Sequence, residues 1–206
     1  MKTRATSIDT IVFDLFGVLI SFDNDLVYAR LAAHCAVPEH ARLQLKGLMA
    51  RPEIITGKRT LAEIHEELVD AHGLTLNFHA FRATWLEPYH ESMAGMRELV
   101  ADLSQRHRLA LLSNIDGYYW PVVRDSQPEL AHFEALFLSF ELGLAKPNPE
   151  IFDRVCQLSQ TSPERCYFVD DTQVNVEAAR ALGFKAHCFG GIDALIAELR
   201  ELRLTE

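Results

Sequence analysis

The chain is poor in cysteine, in basic residues and in long apolar runs. Its four cysteines stand apart at positions 35, 156, 166 and 188, with no CxxC pair. That spacing removes zinc-ribbon and thioredoxin-type centres and predicts free thiols in a reducing compartment. Lysine and arginine total 20 against 29 aspartates and glutamates, a formal net charge of −9. So acidic a chain is a poor partner for nucleic acid or an anionic membrane. No run of 18 apolar residues is present, so no segment reads as membrane-spanning. The N-terminal MKTRATSIDT is charged and no apolar segment follows it, which speaks against a secretory signal. There is no internal repeat and no low-complexity segment. The expectation is a cytoplasmic protein with no nucleic-acid or membrane partner, monomeric or homodimeric.

What is present is ordinary globular material. The 206 residues are 49% hydrophobic and 24% charged, enough for one domain or one with a modest insertion. Five short apolar runs read as strands: Ile11–Phe13, Leu109–Leu112, Ala135–Leu138, Tyr167–Val169 and Ala186–Phe189. They are continuous rather than alternating, as in strands covered on both faces. Helical stripes separate the later runs: Met96, Leu99, Val100, Leu103; Ile151, Phe152, Val155, Cys156; Val174, Ala178, Ala179, Leu182; and Ile192, Leu195, Ile196, Leu199. Strand alternating with helix predicts an α/β fold, a Rossmann-like parallel sheet sandwiched by helices.

After the first strand this rhythm breaks. The chain up to Met96 carries no strand pattern and reads as helices over Leu26–Cys35, Glu39–Met49 (after Pro38), a stripe of Leu61, Ile64, Leu68 and Val69, and Phe78–Leu86. The expectation is a core of residues 1–20 and 92–206 with an α-helical cap, residues 21–91, inserted over the end of the sheet where such folds bind ligands.

Polar residues gather at the predicted carboxyl ends of the strands. Asp14 ends the first, followed by Gly17, which permits a sharp turn. Ser113 and Asn114 end the second, a hydroxyl and a backbone N–H that can hold an anion. Lys146 follows the third, stiffened by Pro147 and Pro149. Asp170 and Asp171 end the fourth and would repel each other without a cation; carboxylate oxygens are what Mg²⁺ prefers. An ordinary reading exists for each residue, a turn cap or a helix N-cap. In a parallel sheet, however, all of these ends converge on one crevice.

With these residues in place the sequence resembles the haloacid dehalogenase superfamily over nearly its whole length. FDLFGVLI is similar to the first motif, LLSN to the second, GLAKPNPEIF to the third and YFVDDTQVNVEAARALGF to the fourth. The run from LLSN to KPNPEIF most resembles the branch of small sugar-phosphate phosphatases and the phosphatase domain of soluble epoxide hydrolase. The resemblance implies Asp14 as a nucleophile that attacks phosphorus and forms an aspartyl-phosphate. It implies Mg²⁺ held by Asp14, the Phe16 carbonyl and Asp171, with Asp170 assisting. Ser113 and Asn114 would hold phosphate oxygens, Lys146 would bridge nucleophile and phosphate, and the partner would be a small phosphorylated metabolite.

One departure stands out. Phosphatases of the superfamily usually carry a second Asp two residues after the nucleophile, where this chain has Phe16. Loss of such a proton donor is typically a 10²–10⁴-fold effect. The replacement admits three accounts: a leaving group that needs little protonation, such as a sugar 1-phosphate or acyl phosphate; an acid from elsewhere, with Asp23, Asp25, His65, His79 and His90 as candidates; or a different reaction. The superfamily's dehalogenases carry an aromatic residue at this place, which makes 2-haloacid dehalogenation the rival reading, although they lack an Asp-Asp pair in the fourth motif. A third reading is a catalytically weakened protein that binds a phosphorylated ligand. Trp85, Tyr89, Tyr118, Tyr119 and Trp120 are candidates to line a pocket.

Overall fold

The computed structural model describes residues 7–206, so residues 1–6 of the N-terminal stretch read for a targeting signal lie outside the described residues. The chain runs β1 (Thr10–Phe13), β2 (Ile20–Phe22), α1 (Asn24–Ala32), α2 (Pro38–Leu45), α3 (Pro52–Ile55), α4 (Leu61–His72), α5 (Phe78–Leu86), β3 (His90–Ser92) and α6 (Met96–Leu103). It continues through β4 (Arg108–Ser113), α7 (Trp120–Ser126), β5 (Ala135–Leu138), α8 (Ser139–Leu142), α9 (Pro149–Ser159), β6 (Cys166–Asp170), α10 (Gln173–Ala181), β7 (Lys185–Cys188) and α11 (Ile192–Glu201). The main sheet has the order β5-β4-β1-β6-β7 and every neighbouring pair is parallel. No helix among the described residues is long and apolar enough to cross a membrane.

The continuous apolar runs are explained by burial on both faces. In β1, Ile11 and Phe13 join Leu109, Leu111, Tyr167 and Val169 on the face covered by α6 and α11, while Val12 joins Leu112 and Phe168 under α9 and α10. The strand β1 is central, and later strands are added on either side of it, so the switch in strand order opens a crevice at its carboxyl end.

The helical stretch α1–α5 leaves and re-enters through β2 and β3, which pair antiparallel with Ile20 opposite Ser92 and Phe22 opposite His90. These two strands escape sequence reading because each has three residues and only Ile20 is fully buried, too short and too polar to show alternation. The expected helix over Glu39–Met49 breaks after Leu45, where Gly47 adopts φ 80° and a 3-10 turn covers Leu48–Ala50. The last strand lies one residue earlier than expected, and the stripe on α10 is turned: Val174 is 53% exposed while Asn175, Val176 and Ala179 face inward. The inward Asn175 is what the apolar pattern could not anticipate, because its partner is a carboxylate described below. Helix α4 begins with a capping box, Thr60 accepting from the Glu63 N–H and the Glu63 side chain accepting from the Thr60 N–H.

Candidate active site

Loops at the carboxyl ends of β1, β4, β5 and β6 bring Asp14, Asn114, Lys146 and Asp171 to one cavity of about 700 Å³, lined also by Phe22 of β2 and by Met49, Pro52 and Ile55 of the helical stretch. Lys146 is the organising charge. Its side chain is 1% exposed, and its Nζ lies 2.7 Å from Asp14 Oδ1 and 2.7 Å from Asp170 Oδ2. Burial alone would lower its pKa, but the two carboxylates outweigh burial and hold the ammonium above its ordinary value.

Local sequence fixes that lysine from three directions. The Lys146 N–H donates to Asn114 Oδ1 and the Asn114 Nδ2–H donates to the Lys146 carbonyl, both at 2.9 Å. Asn148 then caps α9, accepting from the Glu150 N–H, and Pro149 occupies the first turn where no N–H is needed. Asn114 therefore brackets Lys146 through its side chain, a contact that the sequence reading, which assigned its backbone N–H to phosphate, did not contain.

Asp14 accepts from the Leu15 N–H at 2.7 Å. Burial pushes its carboxyl up to about 8, with Lys146 pulling it down and Asp170 pushing it further up. Asp170 is fully buried and fully engaged: Oδ1 accepts from the Thr172 N–H, Asn175 Nδ2 spans both oxygens at 3.0 and 3.1 Å, and Lys146 takes Oδ2. Asp171 is exposed, and burial of part of its carboxyl raises its pKa. A Cβ on Gly17 would collide with the Asp171 carboxylate, and Gly17 also holds φ 80°, so glycine is required there on both counts. The turn bonds the Gly17 N–H to the Ile20 carbonyl and the Ile20 N–H to the Leu15 carbonyl, a bridge that leaves the Phe16 carbonyl out.

Asp14, Asp170 and Asp171 each offer an oxygen within 4.8 Å of the others. Three carboxylates against one ammonium leave negative charge uncompensated, and hard oxygen donors of this kind suit Mg²⁺. Ser113 is fully buried, and its Oγ has no hydrogen-bond partner among the described residues. A buried orphan hydroxyl is costly; Asn114 lines the cavity and Ser113 lies behind it, outside the lining.

The candidates for a missing acid do not converge here. Asp23 caps α1, accepting from the Leu26 N–H. His65 bonds the Leu76 carbonyl and packs on Phe78 and Phe81. His90 bonds the Tyr119 hydroxyl and Ser126. Asp25 and His79 are exposed and neither lines the cavity. Of the five aromatic candidates only Tyr89 lines the cavity; Trp85, Tyr119 and Trp120 are buried in packing and Tyr118 is 41% exposed. Sequence reading also missed Asp116. It is buried, lines the cavity, and its Oδ1 accepts from the N–H groups of Tyr118 and Tyr119, both at 2.9 Å. Burial raises its pKa. Its signal was position alone, two residues past Asn114 on the same rim.

Comparison with known proteins bears on the family and the fold. The profile of the haloacid dehalogenase-like hydrolases matches residues 8–183. A D-ribitol-5-phosphate phosphatase from Bacteroides thetaiotaomicron is 28% identical over 187 residues, covering 86% of this chain and 90% of that protein. The structure of a HAD-like family hydrolase from Porphyromonas gingivalis superposes with a TM-score of 0.78 at 30% identity, covering 95% of this chain and 98% of the other. A haloacid dehalogenase family enzyme from Bacteroides thetaiotaomicron, solved with magnesium and inorganic phosphate, shares the fold with a TM-score of 0.79 at 24% identity, covering 92% and 99%. With the profile spanning most of its length, the chain belongs to the haloacid dehalogenase-like hydrolase family.

Proposed function

We propose that the protein hydrolyses a small phosphate monoester, a sugar phosphate or similar, with Mg²⁺ as cofactor and Asp14 as nucleophile. The observation that carries this reading is the buried chain Asp14–Lys146–Asp170 with Asp171 beside it. The names of the relatives point the same way, toward a phosphorylated polyol in one and toward magnesium with inorganic phosphate in another. Asp14, the Phe16 carbonyl and Asp171 would hold Mg²⁺. Asp170, whose oxygens are already occupied, would fix Lys146 from behind. When bound, Mg²⁺ supplies positive charge against the repulsion between a carboxylate and a phosphate dianion, and it favours the ionised Asp14 that burial disfavours.

The chain's own groups divide the remaining tasks. Asp14 attacks phosphorus with a carboxylate oxygen, the bond from phosphorus to the leaving oxygen breaks, and an aspartyl-phosphate remains for water to hydrolyse. Lys146 stabilises charge on the transferring phosphoryl group. Ser113 Oγ and the Asn114 N–H hold its oxygens. Residues 21–91 act as the cap that excludes water over a core of residues 1–20 and 92–206.

Phe16 is the one observation that favours a second reading, attack on carbon with loss of halide, since halide needs no proton. The Asp170-Asp171 pair weighs against it. A single assay separates the two: release of phosphate from acetyl phosphate and of halide from 2-chloropropionate, each with Mg²⁺ and with EDTA. Multiple turnovers of phosphate that stop in EDTA and return with Mg²⁺ are expected. Halide release indifferent to EDTA would overturn the reading.

A further inference from the structure

The cavity is larger than a phosphate needs and falls in the range of about 300–1,000 Å³ that holds a whole small molecule. Beside Asp14, Asn114, Lys146 and Asp171, its lining includes Phe16, Phe22, Met49, Ile55, Tyr89 and Ile115. Phe16 and Tyr89 lie parallel, their centroids 6.3 Å apart and their planes 6° from each other, and Tyr89 stacks in turn on Tyr119 at 4.3 Å. Phe22 stands edge-on to Phe16 at 5.4 Å and remains 42% exposed at the cavity. An exposed aromatic edge beside a layered aromatic wall is a surface for a flat apolar group. Asn24, Thr56, Lys58, Asp116 and Asn148 are among the polar lining side chains, and the Thr56 hydroxyl already donates to the Pro52 carbonyl.

A second, independent observation concerns the leaving oxygen. The residue two places after Asp14 is a phenyl ring and can donate no proton. Asp116 has one oxygen committed to the Tyr118 and Tyr119 N–H groups, and its carboxyl lies by Tyr89, whose hydroxyl it raises further after burial has already done so. A leaving group that departs without protonation must stabilise its own negative charge.

We infer that the substrate is a phosphate ester of a flat, apolar alcohol of low pKa, an aryl or enol phosphate, lying against Phe16, Phe22 and Tyr89. The inference rests on the phosphate-monoester hydrolysis proposed above and replaces the sugar as the alcohol with an aryl or enol group. The step balances without a protein acid. Asp14 bonds to phosphorus, the phosphorus–oxygen bond breaks, and its electron pair leaves on an aryloxide or enolate that takes its proton from water. Water then attacks the phosphoryl group, releasing phosphate and restoring Asp14.

Two arms test it. In the first, calorimetry with Mg²⁺ compares benzylphosphonate with methylphosphonate, neither of which can be hydrolysed. Benzylphosphonate should bind at least about tenfold tighter, and Phe22→Ala should lose more affinity for it than for methylphosphonate. Equal affinities would overturn the inference whether or not the protein is a phosphatase. In the second, phosphate release is followed from phenyl phosphate, 2-phenylethyl phosphate and ribitol 5-phosphate. Phenyl phosphate should have the highest kcat, and 2-phenylethyl phosphate should bind comparably but turn over at least about 10²-fold more slowly. A preference for ribitol 5-phosphate would overturn the inference. So would equal kcat for the two phenyl esters, or a collapse of 2-phenylethyl phosphate turnover alone in Asp116→Asn, which would identify Asp116 as the proton donor. No release from any ester, with the phosphonate difference intact, would instead count against the phosphatase reading.

Discussion

The Asn114 amide reaches both the N–H and the carbonyl of Lys146, so it holds the loop that places the buried ammonium. Replacing it with alanine removes two hydrogen bonds, worth about 1 kcal/mol each with more for any group left unpaired. Asn114→Ala should therefore lower stability by about 1–3 kcal/mol in urea titration. It should also reduce phosphate release by about 10–100-fold, since Lys146 is no longer fixed between Asp14 and Asp170. The rim carboxylates and Lys146 could be read from sequence because each sits next to an apolar run or between prolines. The bracket could not, because Asn114 and Lys146 are far apart in the chain and only the fold brings them together. Asn175 is a parallel case: it lies on a helix face that pattern reading assigns to Val174, and it turns inward because buried Asp170 requires donors.

Asp116 allows a pH test. Burial raises its folded pKa above the ordinary value of 3.8. A group raised in this way contributes stability that is fully present below its unfolded pKa and is lost as pH rises through the folded value, because the native state then holds a proton that the unfolded chain has released. Denaturation of the metal-free protein at a series of pH values from 4 upward should show wild type losing stability relative to Asp116→Asn, the gap ceasing to widen once the folded carboxyl has ionised. A gap that is independent of pH would contradict the burial argument.

Among the elements, α3 and α8 form the contact that joins the helical stretch to the rim. The Ser139 hydroxyl donates to the Ile55 carbonyl at 2.5 Å and accepts from the Ile115 N–H at 2.9 Å. Gly57 packs beside the Phe140 carbonyl just beyond. Ser139→Ala leaves a buried carbonyl and a buried N–H without partners, a cost of about 1–3 kcal/mol for each group so stranded. Amide hydrogen exchange over residues 52–58 should accelerate in this variant while β1, β4 and β6 stay protected, since the latch lies outside the sheet. Uniform acceleration across the sheet would instead mark Ser139 as part of the global core. The latch was invisible in sequence: Ser139 follows the apolar run of β5 and belongs to no motif, and its partners Ile55 and Ile115 are distant in the chain. The long elements were legible because both faces of the sheet are buried and the helices carry clear stripes. The short ones, β2, β3 and α3, have too few residues to establish a period.

For the molecule as a whole, topology explains why scattered residues act together. Asp14 directly follows the central β1, its neighbours β4 and β6 deliver Ser113–Asn114 and Asp170–Asp171, and the chain after β5 adds Lys146. An acidic chain concentrates three carboxylates around one lysine, and Phe16, Phe22 and Tyr89 line the same cavity. The account depends on Asp14 becoming covalently phosphorylated. The most direct test is rapid acid quenching of the protein turning over phenyl phosphate labelled on phosphorus, followed by peptide mapping. The account predicts label on the Asp14 peptide that rises and decays within a turnover, and that is absent in EDTA and in Asp14→Asn. Mg²⁺-dependent phosphate release that persists in Asp14→Asn, with no label on that peptide, would contradict it.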